Sequence, residues 1–230
     1  MEIIVPAAGL STRFPNMKPK YLLRDENGEM MIKKALKPYL NYPIKIGILY
    51  EHYKEYNAMK ELNNEFGDDV DIIVLPKVTR GPADTVYQII ESVVLEYDVP
   101  FLIKDCDSFF NHVPVEGNYV AITQVADHDV LINLGGKSFV VTNEQGIITD
   151  IVEKKVVSDK FCVGGYKFES VSLFTETFEK ISDRMGEIFV SHVIQDCLMN
   201  GHIFFENLVT NYYDVGTAQD WKIYNESITK

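Results

Sequence analysis

The sequence predicts an α/β fold of three layers, a mostly parallel mixed sheet between helices, with a hairpin-rich lobe added to it. Three observations carry this. Strand-like and helix-like segments alternate up to Lys104. Their apolar runs are continuous rather than alternating, as strands covered on both faces require. Beyond the Asp-Cys-Asp stretch, short strands and turns take over.

The elements follow in order. Ile3 to Val5 is the first apolar run, and Met30 to Leu40 repeats at helical spacing through Met31, Ile32, Ala35, Leu36 and Tyr39. Ile44 to Tyr50 reads as a strand, Glu51 to Phe66 as one polar helix, and Val70 to Leu75 as a strand closed by Pro76. Pro82 to Tyr97 reads as a helix with proline in its first turn, where a missing N–H is harmless. Phe101 to Ile103 is a buried strand cut short by acids. This alternation is the pattern of a parallel sheet with right-handed crossovers.

In the second half, strands are expected at Tyr119 to Val125, Ser138 to Val141 and Ile147 to Val152, with a turn at Asn143-Glu144-Gln145-Gly146. Phe161 to Phe168 is a further strand. Helices return at Ser170 to Ile181 and Val190 to Met199. A last strand pair is expected near Ile203 to Phe205 and Asn211 to Tyr213, before a helix that starts at Thr217. No linker, repeat or low-complexity stretch intervenes, so residues 1–230 read as one domain: a first lobe over 1–110, a second over 111–205 and a closing segment over 206–230.

With 46% hydrophobic and 24% charged residues, the chain has the composition of a globular protein. Its net charge of -12 argues against a nucleic-acid partner, whose footprint would be basic. A phosphate site is compatible with it, since a few local cations dominate a cleft. No run approaches the roughly 18 apolar residues of a membrane span, and Met1-Glu2 opens without the features of a signal peptide. Cys106, Cys162 and Cys197 lie far apart without metal-ligand spacing, and read as reduced thiols of a cytoplasmic protein.

The chemistry concentrates after the first strand. In open α/β sheets ligands bind at the carboxyl ends of the strands. There the chain reads Ala7-Ala8-Gly9-Leu10-Ser11-Thr12-Arg13-Phe14, then Lys18-Pro19-Lys20. Small residues let backbone N–H groups approach an anion. Arg13 offers a planar fork for phosphate oxygens, and Lys20 a point charge. The loop is neither a Rossmann G-x-G-x-x-G nor a Walker loop. A second chemical signal is Asp105-Cys106-Asp107 at the end of an apolar strand. Carboxylates there are costly without a partner, and hard Mg²⁺ suits them. In an extended segment the two acids would point the same way.

PAAGLSTRF followed by KPKYLL resembles the opening signature of the sugar-phosphate nucleotidyltransferases, the family of glucose-1-phosphate thymidylyltransferase and phosphocholine cytidylyltransferase. Ser11 stands where many members carry a second glycine. Three further stretches match in order: Arg80-Gly81-Pro82-Ala83-Asp84-Thr85-Val86, the Asp-x-Asp, and Tyr213-Asp214-Val215-Gly216-Thr217-Ala218-Gln219-Asp220-Trp221. Between them lie Glu153-Lys154-Lys155 and Gly164-Gly165-Tyr166-Lys167-Phe168, like the family's acceptor-side segments. DENGEMMIKKAL and SDKFCVGGYKF resemble the short relatives from capsule and surface-polysaccharide pathways.

The resemblance implies a Rossmann-like nucleotide-diphospho-sugar transferase fold and transfer of NMP from an NTP to a phosphorylated sugar or alcohol, with release of pyrophosphate. It implies Mg²⁺ held by Asp107 and Asp214. The nucleotide would lie on residues 7–13 (Ala7, Ala8, Gly9, Leu10, Ser11, Thr12 and Arg13), on Gly81, Pro82 and Ala83, and near Asp105. Arg13, Lys20 and Lys154 would be catalytic. Lys20, Glu153, Lys154, Gly165 and Tyr166 would face the acceptor. CTP is favoured, with UTP and dTTP open. Two rivals remain: a metal-dependent glycosyltransferase of similar fold, and a non-catalytic nucleotide-sensing relative. Thr217 is expected to cap the last helix, with Asp220 three residues on completing something close to a capping box.

Overall fold

The computed structural model describes residues 1–93, 95–96, 98–128 and 134–229. The first half runs β1 (Glu2–Ala7), α1 (Met31–Leu36), β2 (Ile44–Leu49), α2 (Tyr50–Tyr56), α3 (Ala58–Phe66), β3 (Val70–Leu75), α4 (Pro82–Ser92) and β4 (Phe101–Lys104). The second runs β5 (Ser108–Asn111), β6 (Tyr119–Gln124), β7 (Phe139–Thr142), β8 (Ile148–Val152), β9 (Lys160–Phe168), α5 (Val171–Ile181), α6 (Val190–Met199), β10 (Phe205–Leu208), β11 (Thr210–Asp214) and α7 (Ala218–Ile228).

The main sheet has the strand order β10-β6-β9-β4-β1-β2-β3. Along it β10 is parallel to β6, β4 to β1, β1 to β2 and β2 to β3. Only β9 runs against its neighbours β4 and β6 on this path. The β7–β8 hairpin joins the sheet through Phe139 opposite Phe161. A separate antiparallel ribbon pairs β11 with β5.

Both faces of the sheet are covered, which is why its strands read as unbroken apolar runs. Ile3 and Val5 pack with Leu36 of α1 and Leu62 and Phe66 of α3. Ile4, between them, packs on the other side with Val86 and Ile89 of α4, Phe174 of α5 and Val193 of α6. Ile3, Ile4 and Val5 are fully buried, each contributing about 2 kcal/mol relative to exposure. Because Ile4 of β1 pairs with Ile103 of β4, the segments that leave these two strands emerge side by side.

The structure departs from sequence expectation at several places. The expected helix over 51–66 is two helices, broken at Asn57, which takes a left-handed backbone with φ 50°. The expected helix over 30–40 stops at Leu36 and continues as a single 3-10 turn over Lys37–Tyr39, because Pro38 has no N–H for the next helical bond. Helix α4 ends at Ser92; Tyr97, its expected end, lies outside the described residues. The last two strands do not pair with each other: β10 extends the main sheet beside β6, and β11 pairs with β5, a strand the sequence did not suggest. At α7 the Thr217 hydroxyl accepts from the Asp220 N–H at 3.1 Å and donates to the Asp220 carboxylate at 2.6 Å, so the cap forms without the return bond of a full box.

Candidate active site

A cleft of about 1050 Å³ opens where the segments after β1 and β4 emerge. Its walls come from both halves of the chain: Ala8 to Phe14 and Lys20 on one side, Gly136 to Ser138, Glu153 and Lys154 on the other, with Asp105 to Ser108, Asp214 and Gly216 between them. Val78 to Pro82 and the stretch of Gly186, Glu187 and Phe189 to Ser191 also line it, and the two are joined by the bond from the Ile188 N–H to the Arg80 carbonyl.

The loop after β1 is shaped by Ser11. Its φ is 52°, the left-handed region that explains a glycine at this place in resembling sequences. The Ser11 carbonyl accepts from the Phe14 N–H at 2.8 Å, and its hydroxyl accepts from the Lys20 N–H at 3.1 Å. Pro19 then leads into a 3-10 turn over Lys20–Leu22. That turn sinks Tyr21 and Leu22 into the core and leaves the Lys20 ammonium in the cleft.

Two carboxylates converge there. Asp107 sits in the turn between β4 and β5, and Asp214 ends β11 opposite Ser108. The Val215 N–H donates to the Asp107 carbonyl at 3.0 Å, and the Ala218 N–H to the Arg13 carbonyl at 3.2 Å. The closing motif is thereby sewn to both earlier segments. A Cβ placed on Gly216 would lie 3.1 Å from Asp107 Oδ2, 3.1 Å from Asp214 Oδ1 and 3.5 Å from the Arg13 guanidinium.

Each carboxylate has its own lysine. Lys20 Nζ is 2.5 Å from Asp107 Oδ2, with Arg13 at 3.9 Å. Lys137 Nζ is 2.5 Å from Asp214 Oδ2 and donates to the Tyr212 hydroxyl at 3.0 Å. Burial pushes the Asp107 carboxyl up, but Lys20, then Arg13 and Lys137, outweigh it and hold the group well below the usual carboxylate range. Burial likewise acts to lower Lys137, and Tyr212 and Asp214 raise it above the usual lysine range.

Asp105 is held differently. Its N–H donates to the Gly164 carbonyl at 2.8 Å, and its side chain lies on Gly164. Gly164 has φ +85°, and a Cβ there would come within 2.5 Å of Asp105 Oδ2, so only glycine fits. Burial and the Asp107 charge raise the Asp105 carboxyl. Behind both acids stands Lys104, fully buried. Its ammonium donates to the Asp105 carbonyl at 2.7 Å, the Ser108 carbonyl at 2.8 Å and the Ser108 hydroxyl at 2.9 Å, which closes the turn that carries Asp107. Burial pulls this lysine down to about 8, against the pull of Asp105 and Asp107.

On the far wall, Glu153 accepts from the hydroxyls of Ser138 and Ser191, the latter at 2.6 Å. Lys154 has φ 55°, and its N–H donates to the Lys137 carbonyl at 3.0 Å. Its ammonium turns away from the carboxylates, 4.1 Å above the Phe189 ring and 3.7 Å from Glu187.

Of the residues expected at the site, Ala8, Gly9, Leu10, Ser11, Thr12, Arg13, Lys20, Gly81, Pro82, Asp105, Asp107, Glu153, Lys154, Tyr166 and Asp214 line one cleft. Three do not. Ala7 is the last residue of β1 and is buried in the core. Ala83 is buried too, and its N–H already donates to the Ile188 carbonyl at 3.2 Å. Gly165 backs onto Ala121 and Phe110, and its neighbour Gly164 takes the cleft position. Sequence reasoning missed Lys104 and Lys137. Neither lies in a local pattern that marks it: Lys104 closes an apolar strand, and the residues before Gly136-Lys137-Ser138 do not complete a phosphate-binding loop.

The site fits a hard divalent cation. Asp107 and Asp214 offer oxygen donors on either side of one point beside Gly216. Among the described residues no group of three or more His, Cys, Asp or Glu side chains is placed to hold a metal. A cation held by these two carboxylates would draw its remaining ligands from water and substrate oxygens, as Mg²⁺ commonly does.

No family model matches the chain, and no curated protein matches its sequence. Solved structures do. The nucleoside-diphosphate-sugar pyrophosphorylase from Vibrio cholerae RC9 superposes with a TM-score of 0.83 at 18% identity, covering 97% of this chain and 99% of that one. The chain shares its fold. The inositol-1-phosphate CTP transferase from T. maritima gives 0.79 at 19% identity, covering 100% and 95%. A UDP-glucose pyrophosphorylase crystallised with UDP-glucose gives 0.74 at 17% identity, covering 99% and 98%. The likeness thus runs over nearly the whole length of the chain. Among the described residues no helix is long and apolar enough to cross a membrane.

Proposed function

We propose that the protein is a Mg²⁺-dependent nucleotidyltransferase, joining NTP and a phosphorylated sugar or alcohol into a nucleoside diphosphate derivative with release of pyrophosphate. The observation that carries this is the convergence of Arg13, Lys20, Asp107 and Asp214 around Gly216, from three distant stretches of chain.

An oxygen of the acceptor phosphate attacks the α-phosphorus of the NTP. The new P–O bond forms as the bond to the β-phosphate oxygen breaks, and its electron pair leaves with pyrophosphate. The nucleophile is already ionised, so alignment and charge stabilisation are the protein's main tasks. Arg13 grips the β and γ phosphates and steadies the leaving group. Lys20 lies between the α-phosphate and the acceptor. Asp107 and Asp214 would hold Mg²⁺, whose chemistry is to polarise phosphate oxygens. The Glu153 carboxylate, already taking two serine hydroxyls, suits acceptor hydroxyls, with Lys154 and Tyr166 beside it.

CTP is the nucleotide we propose, on the resemblance to short cytidylyltransferases. The T. maritima neighbour is itself described as a CTP transferase. The product would be a precursor for capsule or surface polysaccharide, made in the cytoplasm where nucleotides are available. One domain is proposed to do this, with nucleotide on the 1–110 lobe and acceptor on the 111–205 lobe. A glycosyltransferase binds a nucleoside diphosphate sugar and has less need of Arg13 and Lys20 at a triphosphate end. A nucleotide sensor would not need the paired acids. Pyrophosphate release that requires both an NTP and a phosphorylated acceptor tests the reading; NTP binding without release would favour the sensor.

A further inference from the structure

We propose that Lys137 is a catalytic residue on the acceptor side, paired with Asp214 in the structure and turned onto an acceptor phosphate oxygen in the loaded site. This rests on the nucleotidyl-transfer reading above.

Position comes first. Lys137 precedes β7, and its carbonyl accepts the Lys154 N–H, while the next residue, Ser138, donates to Glu153. It therefore belongs to the acceptor wall, opposite Arg13 and Lys20. Its side chain is 18% exposed and reaches Asp214, whereas that of Lys154 is 51% exposed and lies over Phe189. Of the two lysines on this wall, Lys137 is the one at the paired carboxylates.

Charge comes second. Asp107 and Asp214 each pair with one lysine, and Arg13 adds a third cation 3.9 Å from Asp107, so the two acids are already neutralised by side chains. With a divalent cation between the carboxylates, both ammoniums face two added positive charges at close range and are repelled. Incoming phosphates bring acceptor oxygens of opposite sign to the same place. A lysine has three donors on a flexible stem, so Lys137 can exchange carboxylate for phosphate without backbone movement. A partly buried ion pair adds little net stability over an apolar replacement, so stability alone gives no reason for this one.

The test uses the full chain, wild type, Lys137→Met and Lys137→Arg. Mn²⁺ binding to substrate-free protein is followed by electron paramagnetic resonance, and KM is measured separately for NTP and acceptor. Without its lysine, Asp214 is open to the cation, so Lys137→Met should bind Mn²⁺ about threefold or more tighter, the scale of one released ion pair. Its acceptor KM should rise about tenfold or more, as expected for one lost charged hydrogen bond, with the NTP KM little changed. Lys137→Arg should recover part of the acceptor affinity. Weaker Mn²⁺ binding in Lys137→Met would make the lysine a scaffold for Asp214 and overturn the proposal, as would an unchanged acceptor KM. If Lys137→Met does not fold, Lys137→Arg decides: an acceptor KM as poor as that of Lys154→Ala, or an NTP KM raised in step, contradicts it. Absence of pyrophosphate release from wild type would sink the nucleotidyl-transfer reading, and the acceptor role with it. The Mn²⁺ titration would still report on the Lys137–Asp214 exchange.

Discussion

The Val215 N–H donates to the carbonyl of Asp107 at 3.0 Å. That bond places the last acid of the proposed site against the first, although 107 residues separate Asp107 from Asp214. Neither acid is useful alone in the mechanism. Asp107→Asn and Asp214→Asn should each lower kcat on the order of a hundredfold or more, the loss of a main charge-stabilising group. Circular dichroism should stay close to wild type, while the melting temperature should fall, since each variant leaves a lysine without its carboxylate. A variant that turns over near the wild-type rate in Mg²⁺ would remove the metal assignment.

Arg13→Ala should reduce kcat/KM by about 3 kcal/mol of transition-state stabilisation, comparable to losing one oxyanion donor. The side chain is 64% exposed, so the fold should not register the change. Steady-state kinetics with NTP varied checks this; an unchanged kcat/KM contradicts the role.

Ser11 offers a test of the loop itself. Glycine there relieves a left-handed strain of roughly 1 kcal/mol and loses a hydrogen bond of about the same worth, so Ser11→Gly should be nearly neutral in stability. Ser11→Val loses the bond to the Lys20 N–H and puts a β-branched side chain at φ 52°. It should lose about 2–3 kcal/mol in urea unfolding.

Gly81 ties the start of α4 to the loop before α6. Its φ is +127°, and a Cβ would stand 2.6 Å from the Ile188 carbonyl oxygen. The neighbouring Ile188 N–H donates to the Arg80 carbonyl at 2.6 Å. Gly81→Ala should therefore destabilise by about 2 kcal/mol or more and raise the NTP KM. Thermal denaturation and kinetics on the same preparation check both.

Stability should also fall with acidification because one histidine is buried in its neutral form. His112 is buried between the Tyr39 hydroxyl and the Asn207 amide, and burial, then the Lys104 charge, lowers it to about 4. The unfolded chain binds a proton near the ordinary histidine value of about 6.5, so it holds more protons than the native state between these limits. This contribution is fully present above about pH 6.5 and is lost as pH falls toward 4, up to about 3 kcal/mol from this group. His112→Gln should flatten the slope of unfolding free energy against pH in that window. An identical slope in the variant would assign the effect elsewhere.

Much of this arrangement was legible in the chain. Continuous runs such as Ile44 to Leu49 announced strands buried on both faces, and the helix packing on either side bears that out. Asp107 and Asp214 could be named because each lies in a compact local pattern. Lys137 could not: its meaning depends on the β7–β8 hairpin carrying it to Asp214, 77 residues onward, and no local spacing encodes that contact. Strand β5 escaped for the same reason, since Ser108 to Asn111 is short and its partner β11 comes a hundred residues later. The break at Asn57 is a backbone event at one residue, within a segment whose polar helical composition continues on both sides.

The most direct measurement is pyrophosphate release with Mg²⁺, each of CTP, UTP, dTTP, ATP and GTP, and a panel of phosphorylated sugars and alcohols. The account predicts release that needs one NTP, CTP first, and one acceptor together, and that disappears in Asp107→Asn. Silence across the panel with no NTP binding by thermal shift would contradict it and point to a site built for a nucleoside diphosphate sugar.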